Sequence, residues 1–292
     1  MSTQTRRRAP LLRATRPRQW TKNLLVVAAP LAAGVLAEVD VLARVVVALV
    51  AFTLAAASVY LLNDLVDAED DRRHPRKRHR PIASGELGAT TAVVAAVVLA
   101  TGAVVLAIGV SASLVAVVVV YMVVQAAYAF GLKDQPVLDL AVVSSGFLLR
   151  AIAGGVAAGV PLSQWFLLVA SFGSLYMVAG KRYSELIGVG ADGGTRPSLV
   201  LYSESYLRFV WSTAAAVAVT AYSLWAFEIP SDSPVNWQAM SIAPFVLGML
   251  RYAVDIDRGL AGEPEDAILR DPVLLALAAL WLLVFAIGVY TR

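Results

Sequence analysis

Apolar residues run through this chain in long stretches, separated by short polar segments. Nine stretches, near 23–38, 42–62, 90–109, 112–131, 137–158, 163–180, 207–227, 237–253 and 272–290, predict helices. Most approach the roughly 17–25 apolar residues that carry an α-helix across a bilayer. The first and eighth are short, which leaves a count of eight open. Composition agrees with this reading, because 59% of the 292 residues are hydrophobic, against about 45–50% in soluble globules. The pattern predicts an all-α, polytopic membrane protein. With no cysteine in the chain, disulfides, thiolate zinc sites and thiol nucleophiles are excluded.

Charge placement says more than the net charge of +3. Arg6, Arg7, Arg8, Arg13, Arg16, Arg18 and Lys22 precede the first stretch or open it, and Arg72, Arg73, Arg76, Lys77, Arg78 and Arg80 follow the second. With nine crossings, Lys133, Lys181, Arg182, Arg196, Arg208, Arg251, Arg258 and Arg270 fall on that same side, whereas only Arg44 and Arg292 fall on the other. The positive-inside rule then predicts a cytoplasmic N-terminus and cytoplasmic basic loops. Residues 1–12 read as a disordered basic tail, with Arg6–Arg8 a topology signal and a contact for anionic lipid. Pro10, Pro17 and the basic run precede a helix long enough to stay, so no cleaved signal peptide is expected.

The polar residues at this predicted face carry the candidate chemistry. Spaced three and four apart, Asp64, Asp67 and Asp71 share one helical stripe about 10 Å long, with Asn63 on its edge. Like charges at these spacings repel, and a bound cation makes the arrangement favourable. Oxygen ligands alone suit Mg²⁺, held by one or two carboxylates and by substrate phosphates. The plainer alternative is a solvated acidic cap, which is the reading for Glu69 and Asp70. Lys77 and Arg80 follow in the next loop, where cations can hold phosphate. His74 and His79 read as exposed loop residues without a third metal ligand. Lys22 either binds phosphate or snorkels to the interface.

Further along, Tyr128 to Asp139 contains Lys133 and Pro136, and Asp139 serves either a site or the dipole of the helix it opens. Arg150 lies roughly 16 Å deeper along that helix, and should face the protein interior with a carboxylate, a carbonyl or a bound phosphate as partner. Lys181 and Arg182, with Glu185 after them, either bind substrate or stabilise a helix C-terminus.

Asn63-Asp64-x-x-Asp67-x-x-x-Asp71, with Arg80-Pro81-Ile82 beyond it, resembles the first motif of the UbiA superfamily of intramembrane prenyltransferases. The resemblance implies a nine-transmembrane-helix UbiA-type bundle with its N-terminus in the cytoplasm, and a single catalytic domain over 13–292. It also implies a Mg²⁺-dependent diphosphate site facing the cytoplasm, in the plasma membrane, with Asp64, Asp67 and Asp71 as metal ligands and catalytic residues. The second motif of that superfamily, Asp-x-x-x-Asp, is not matched: Asp134 and Asp139 are five apart, and Lys133 intrudes.

That departure, with Arg16-Pro-Arg-Gln-Trp, Phe147-Leu-Leu-Arg-Ala-Ile-Ala-Gly-Gly155, Ser163-Gln-Trp-Phe166, Gly180-Lys-Arg-Tyr183, Tyr206-Leu-Arg-Phe-Val-Trp211 and the segment Arg251–Asp271, is similar to a subgroup acting on sugar phosphates. The subgroup moves 5-phosphoribosyl from phosphoribosyl pyrophosphate to decaprenyl or another polyprenyl phosphate, a step toward cell-wall arabinan and arabinogalactan. Lys22, Asn63, Lys77, Arg80, Tyr128, Lys133, Asp139, Arg150, Lys181, Arg182 and Glu185 are then the substrate-binding candidates. Which of Lys22, Lys181 and Arg182, or Lys77 and Arg80, hold the lipid phosphate, and which the 5-phosphate, stays open. The competing readings are isoprenoid transfer to an aromatic acceptor and a lipid-phosphate or cation transporter. No nucleic-acid partner is expected; homo-oligomerisation and the role of residues 255–271, lid or subunit contact, stay open.

Overall fold

The computed structural model describes residues 9–75, 77–188, 197–229 and 234–291, and all regular structure in them is helical. Arg6–Arg8 of the predicted tail, and Arg76, Arg196 and Arg292, lie outside the described residues. The α-helices are α1 (Pro10–Ala14), α2 (Ala28–Ala32), α3 (Val39–Val66), α4 (Ala68–Arg73), α5 (Ala89–Ile108), α6 (Ala112–Ala129), α7 (Leu138–Ala158), α8 (Gln164–Gly188), α9 (Glu204–Glu228), α10 (Trp237–Asp257), α11 (Pro264–Arg270) and α12 (Pro272–Tyr290).

Seven of the described helices, α3, α5, α6, α7, α9, α10 and α12, are long and apolar enough to cross a membrane. Two of the nine predicted spans differ from that description. Residues 17–27 form a 3₁₀ stretch, followed by the five-residue α2, and Gly34 with φ 76° turns the chain soon after. Proline supplies the reason: Pro17 opens the 3₁₀ stretch, and Pro30 has no N–H for a continuing ladder. Helix α8 is 25 residues long but carries Gln164, Lys181, Arg182 and Glu185, and is not among the seven. Residues 10–12, assigned to the tail by the sequence, belong to the helix Pro10–Ala14, which has proline in its first turn.

Contacts divide the chain into two compact units. The first comprises the chain to Ala28, Glu38–Lys133 and Leu149–Gly159; the second comprises Ala29–Ala37, Asp134–Leu148 and the chain from Val160 onward. Helix α7 is therefore shared, with its first half in the second unit.

In the first unit α3 packs on α5 and α6. Buried Ala48, Ala51, Ala55, Ala56 and Ala57 on α3, with Ala92, Ala103 and Ala107 on α5, give the helices smooth surfaces. Small residues let helix backbones approach in a membrane, where dispersion contacts replace the hydrophobic effect as the association force. Ser111 caps α6 by accepting from the Leu114 amide at 3.1 Å. Ile82 and Leu87 bury against Ala14, Leu61 and Ala92, which anchors the loop after Arg80.

In the second unit α8 packs on α9, and α10 on α9 and α12. Tyr176, Tyr183, Leu207, Tyr252 and Ile256 form its core with Trp211 against them. Ser203, Asn236 and Asp271 cap α9, α10 and α12 through side-chain oxygens. Residues 255–271, left open by the sequence, finish α10, form α11 and provide the α12 cap.

Candidate cation and phosphate site

The acidic stripe survives a break in its helix. Helix α3 ends at Val66, yet the Asp67 amide donates to the Asn63 carbonyl at 2.9 Å and the Asp71 amide to the Asp67 carbonyl at 2.8 Å. Spacing of four is thus kept from Asn63 into α4. Asp64 and Asp71 are both 2% exposed and turn to the same cation. Arg80 Nη1 donates to Asp64 Oδ1 at 3.1 Å and to Asp71 Oδ2 at 2.6 Å. Arg16 Nη2 donates to the same Asp64 oxygen. Arg16 has a left-handed φ of 53°, and its guanidinium lies over the Tyr60 ring, 5.1 Å from the centroid.

Asp67 takes a separate partner, the Lys133 ammonium. The three predicted ligands therefore divide, two on Arg80 and one on Lys133, and among the described residues no three acidic or histidine side chains close on one point. Asp64 and Asp71 alone fit a hard divalent ion. Both offer only oxygen, and a single positive nitrogen already lies within hydrogen-bonding distance of both. A Mg²⁺ ion is typically held by one or two carboxylates, with phosphate and water completing about six positions.

The other candidates in this unit are partly exposed: Lys22, Asn63, Lys77 and Tyr128 are each half-buried. His79 is exposed as predicted, whereas His74 is half-buried and its Nδ1 accepts from the Lys77 amide at 3.3 Å. Arg150, expected to face the interior, is 5% exposed. Its Nε donates to Asn23 Oδ1 at 2.7 Å and its Nη2 to the Tyr121 hydroxyl at 3.0 Å, with the guanidinium also 4.9 Å from the Tyr121 ring centre. Asn23 in turn donates to Thr53 Oγ1 at 3.0 Å, tying the 3₁₀ stretch to α3. A side-chain carbonyl thus meets Arg150, one of the partners expected for a buried guanidinium.

A second cluster belongs to the second unit. Arg182, 2% exposed, donates from Nε and Nη2 to the two oxygens of fully buried Asp139, at 2.8 and 3.0 Å, and from Nη1 to Glu185 at 3.0 Å. Lys181 lies 3.8 Å from the other Glu185 oxygen. This fork-to-fork pairing makes Arg182 and Asp139 partners for each other. Just before Asp139, Val137 has a φ of 69°, unusual for a β-branched residue, and its amide donates to the Tyr202 hydroxyl at 2.8 Å. Burial pushes the Tyr202 phenol above its ordinary range, which keeps it neutral.

Sequence reasoning missed Arg16 as a ligand of the acids, and Tyr121, Thr53 and Tyr202. Arg16 stood among many topology arginines. A signal existed for Tyr121, the tyrosine that directly follows four consecutive valines in α6.

The model of the UbiA prenyltransferase family matches residues 24–186, more than half the chain. The chain belongs to the UbiA prenyltransferase family. Among relatives of this UbiA protein, the decaprenyl-phosphate phosphoribosyltransferase of Mycolicibacterium smegmatis is 51% identical over 293 residues, covering 96% of this chain and 92% of that protein. The enzyme of the same name from Mycobacterium tuberculosis is 53% identical over 279 residues, covering 94% and 92%. In fold, the UbiA member resembles a UbiA homolog from Archaeoglobus fulgidus bound to DMAPP and Mg²⁺, with a TM-score of 0.76 at 16% identity over 97% of this chain and 99% of the other. The fold class read from the sequence, an all-α membrane protein of UbiA type, is therefore correct.

Proposed function

We propose that this UbiA-family protein transfers 5-phosphoribosyl from phosphoribosyl pyrophosphate to decaprenyl or a similar polyprenyl phosphate. The carrying observation is the identity of about half, over more than nine-tenths of each chain, to two enzymes named decaprenyl-phosphate phosphoribosyltransferase. The residue chemistry supports it. This donor has a diphosphate and a separate 5-phosphate, and the chain has a carboxylate pair together with Lys22, Lys77, Lys133 and Lys181 outside that pair.

In this reading Asp64 and Asp71 would hold Mg²⁺ beside the diphosphate, and Asp67 with Lys133 borders them. A Mg²⁺ ion held there would supply positive charge against the leaving oxygen. Arg80 and Arg16 bind and orient the same diphosphate by charge-assisted hydrogen bonds. An oxygen of the lipid phosphate attacks C1 of the ribose, the bond from C1 to the diphosphate oxygen breaks, and pyrophosphate leaves with the electron pair. The attacking oxygen is already anionic, so no general base is needed. Inversion at C1 yields a β-linked lipid product, so the protein is a glycosyltransferase. In this reading the chemistry takes place at the cytoplasmic face of the plasma membrane, which the asymmetry of the basic loops supports.

The test is incubation of purified protein with Mg²⁺, labelled phosphoribosyl pyrophosphate and polyprenyl phosphate, followed by mass spectrometry of the lipid. A lipid gaining one phosphoribosyl group is expected. The double variant Asp64→Ala, Asp71→Ala should lower its formation by at least about 100-fold, on the scale of lost transition-state charge stabilisation. Consumption of a prenyl diphosphate with an aromatic acceptor, and none of the labelled donor, would overturn the proposal.

A further inference from the structure

We propose that Arg80 is the resident counter-ion of the Asp64–Asp71 pair, and that its transfer onto the donor diphosphate makes cation and donor load together. The inference rests on the function proposed above. Arg80 Nη1 bridges Asp64 Oδ1 and Asp71 Oδ2 at 3.1 and 2.6 Å, so it stands where a divalent cation shared by these carboxylates must come. Two nearly inaccessible carboxylates without a counter-charge would be strongly destabilising. Arg80 supplies that charge while its side chain stays 26% exposed.

Charge balance then sets the order of events. Asp64 and Asp71 face the guanidinium groups of Arg80 and Arg16, two negative charges against two positive ones. A divalent cation arriving alone meets an already neutral site and must displace Arg80 without giving it a new partner. Arriving with a diphosphate, it brings the acceptor that Arg80 takes. Arg16 keeps its Nη2 bond to Asp64 and offers its other N–H groups to the diphosphate, so that carboxylate keeps one partner during the exchange.

The backbone favours movement of the side chain alone. Ser84 donates to the Arg80 carbonyl at 2.9 Å and Leu87 to the Pro81 carbonyl at 2.8 Å, while Ile82 and Leu87 are buried. Arg80 is therefore a positioning residue with two alternative anionic partners on a fixed loop.

The test reads cation binding directly, using Mn²⁺ as probe and the electron paramagnetic resonance signal of the free ion. The full chain in detergent is titrated in buffer without phosphate. Removing one positive charge about 4 Å from a divalent ion changes its affinity about tenfold or more, even under water-like screening. Arg80→Gln should accordingly bind Mn²⁺ about tenfold more tightly than the wild type, and adding Asp71→Asn should remove the gain. Equal or weaker binding by Arg80→Gln overturns the proposal. A second measurement needs no variant: wild-type protein that binds Mn²⁺ alone as tightly as with phosphoribosyl pyrophosphate present also overturns it. The transfer assay separates the two readings. Wild-type phosphoribosyl transfer without tightening in Arg80→Gln rejects the counter-ion role and keeps the reaction. Tightening without wild-type transfer supports the counter-ion role and rejects the reaction.

Discussion

Arg182 and Asp139 illustrate how far a single residue type underdetermines its job. Both are candidate substrate ligands by position, yet each satisfies the other through two parallel hydrogen bonds at 2.8 and 3.0 Å, with exposures of 2% and 0%. Removing Asp139 takes two charge-assisted hydrogen bonds from a buried guanidinium, whereas replacing both partners by apolar residues of similar volume removes the buried charge as well. Asp139→Ala should therefore destabilise the protein by about 3–5 kcal/mol, seen as a lower thermal midpoint in detergent. Asp139→Leu combined with Arg182→Met should recover most of that loss. A double variant as unstable as Asp139→Ala would indicate that the pair contributes through some role other than mutual neutralisation. Lys181 differs because its side chain is 32% exposed and its ammonium lies 3.8 Å from a Glu185 oxygen, an exposed pairing that contributes little to stability.

At the scale of elements, the end of α10 and the start of α12 are joined by one carboxylate. Asp271 Oδ1 accepts from the Val273 and Leu274 amides at 2.9 and 3.2 Å, and Oδ2 from Arg251 Nε at 2.6 Å. Chiefly through Arg251, the Asp271 carboxyl is held below the usual carboxylate range. A carboxyl with a depressed folded value contributes stability above its unfolded value, near 3.9, and loses it as pH falls through the folded one. Asp271→Asn keeps a competent cap but not the charge. Its thermal midpoint should lie below the wild type at neutral pH, and the gap should close below about pH 4. The cap was readable in the sequence, since Asp271-Pro272 before an apolar run is a helix start. So was the Asp64, Asp67, Asp71 stripe, because helical period alone aligns those residues. Their partners were not readable: Arg16 reaches Asp64 from 48 residues away and Lys133 reaches Asp67 from 66 away. Such pairings come from tertiary packing, about which the order of residues says little.

For the whole molecule, apolar content and basic asymmetry made an all-helical membrane protein legible, because lipid exposure demands long apolar runs whatever the detailed packing. Two of the nine apolar runs are not described as single long apolar helices. Pro17, Pro30 and Gly34 convert residues 17–34 into a 3₁₀ stretch, a short helix and a turn, and α8 accepts charge that a lipid-facing helix would avoid. Orientation remains a claim of the charge asymmetry alone, and the cysteine-free sequence makes it directly testable. Arg78 and Ala112 are both exposed, in the segments before α5 and at the start of α6. Helix α5 is long enough to cross once between them. If the basic segment is cytoplasmic, Ala112→Cys should react with a membrane-impermeant maleimide in intact cells, and Arg78→Cys only after the membrane is opened. The reverse pattern would place the Asp64–Asp71 pair on the outer face. Phosphoribosyl pyrophosphate carries several negative charges and does not cross a bilayer unaided. Labelling therefore decides more than orientation, because a site on the outer face would have no route to the proposed donor.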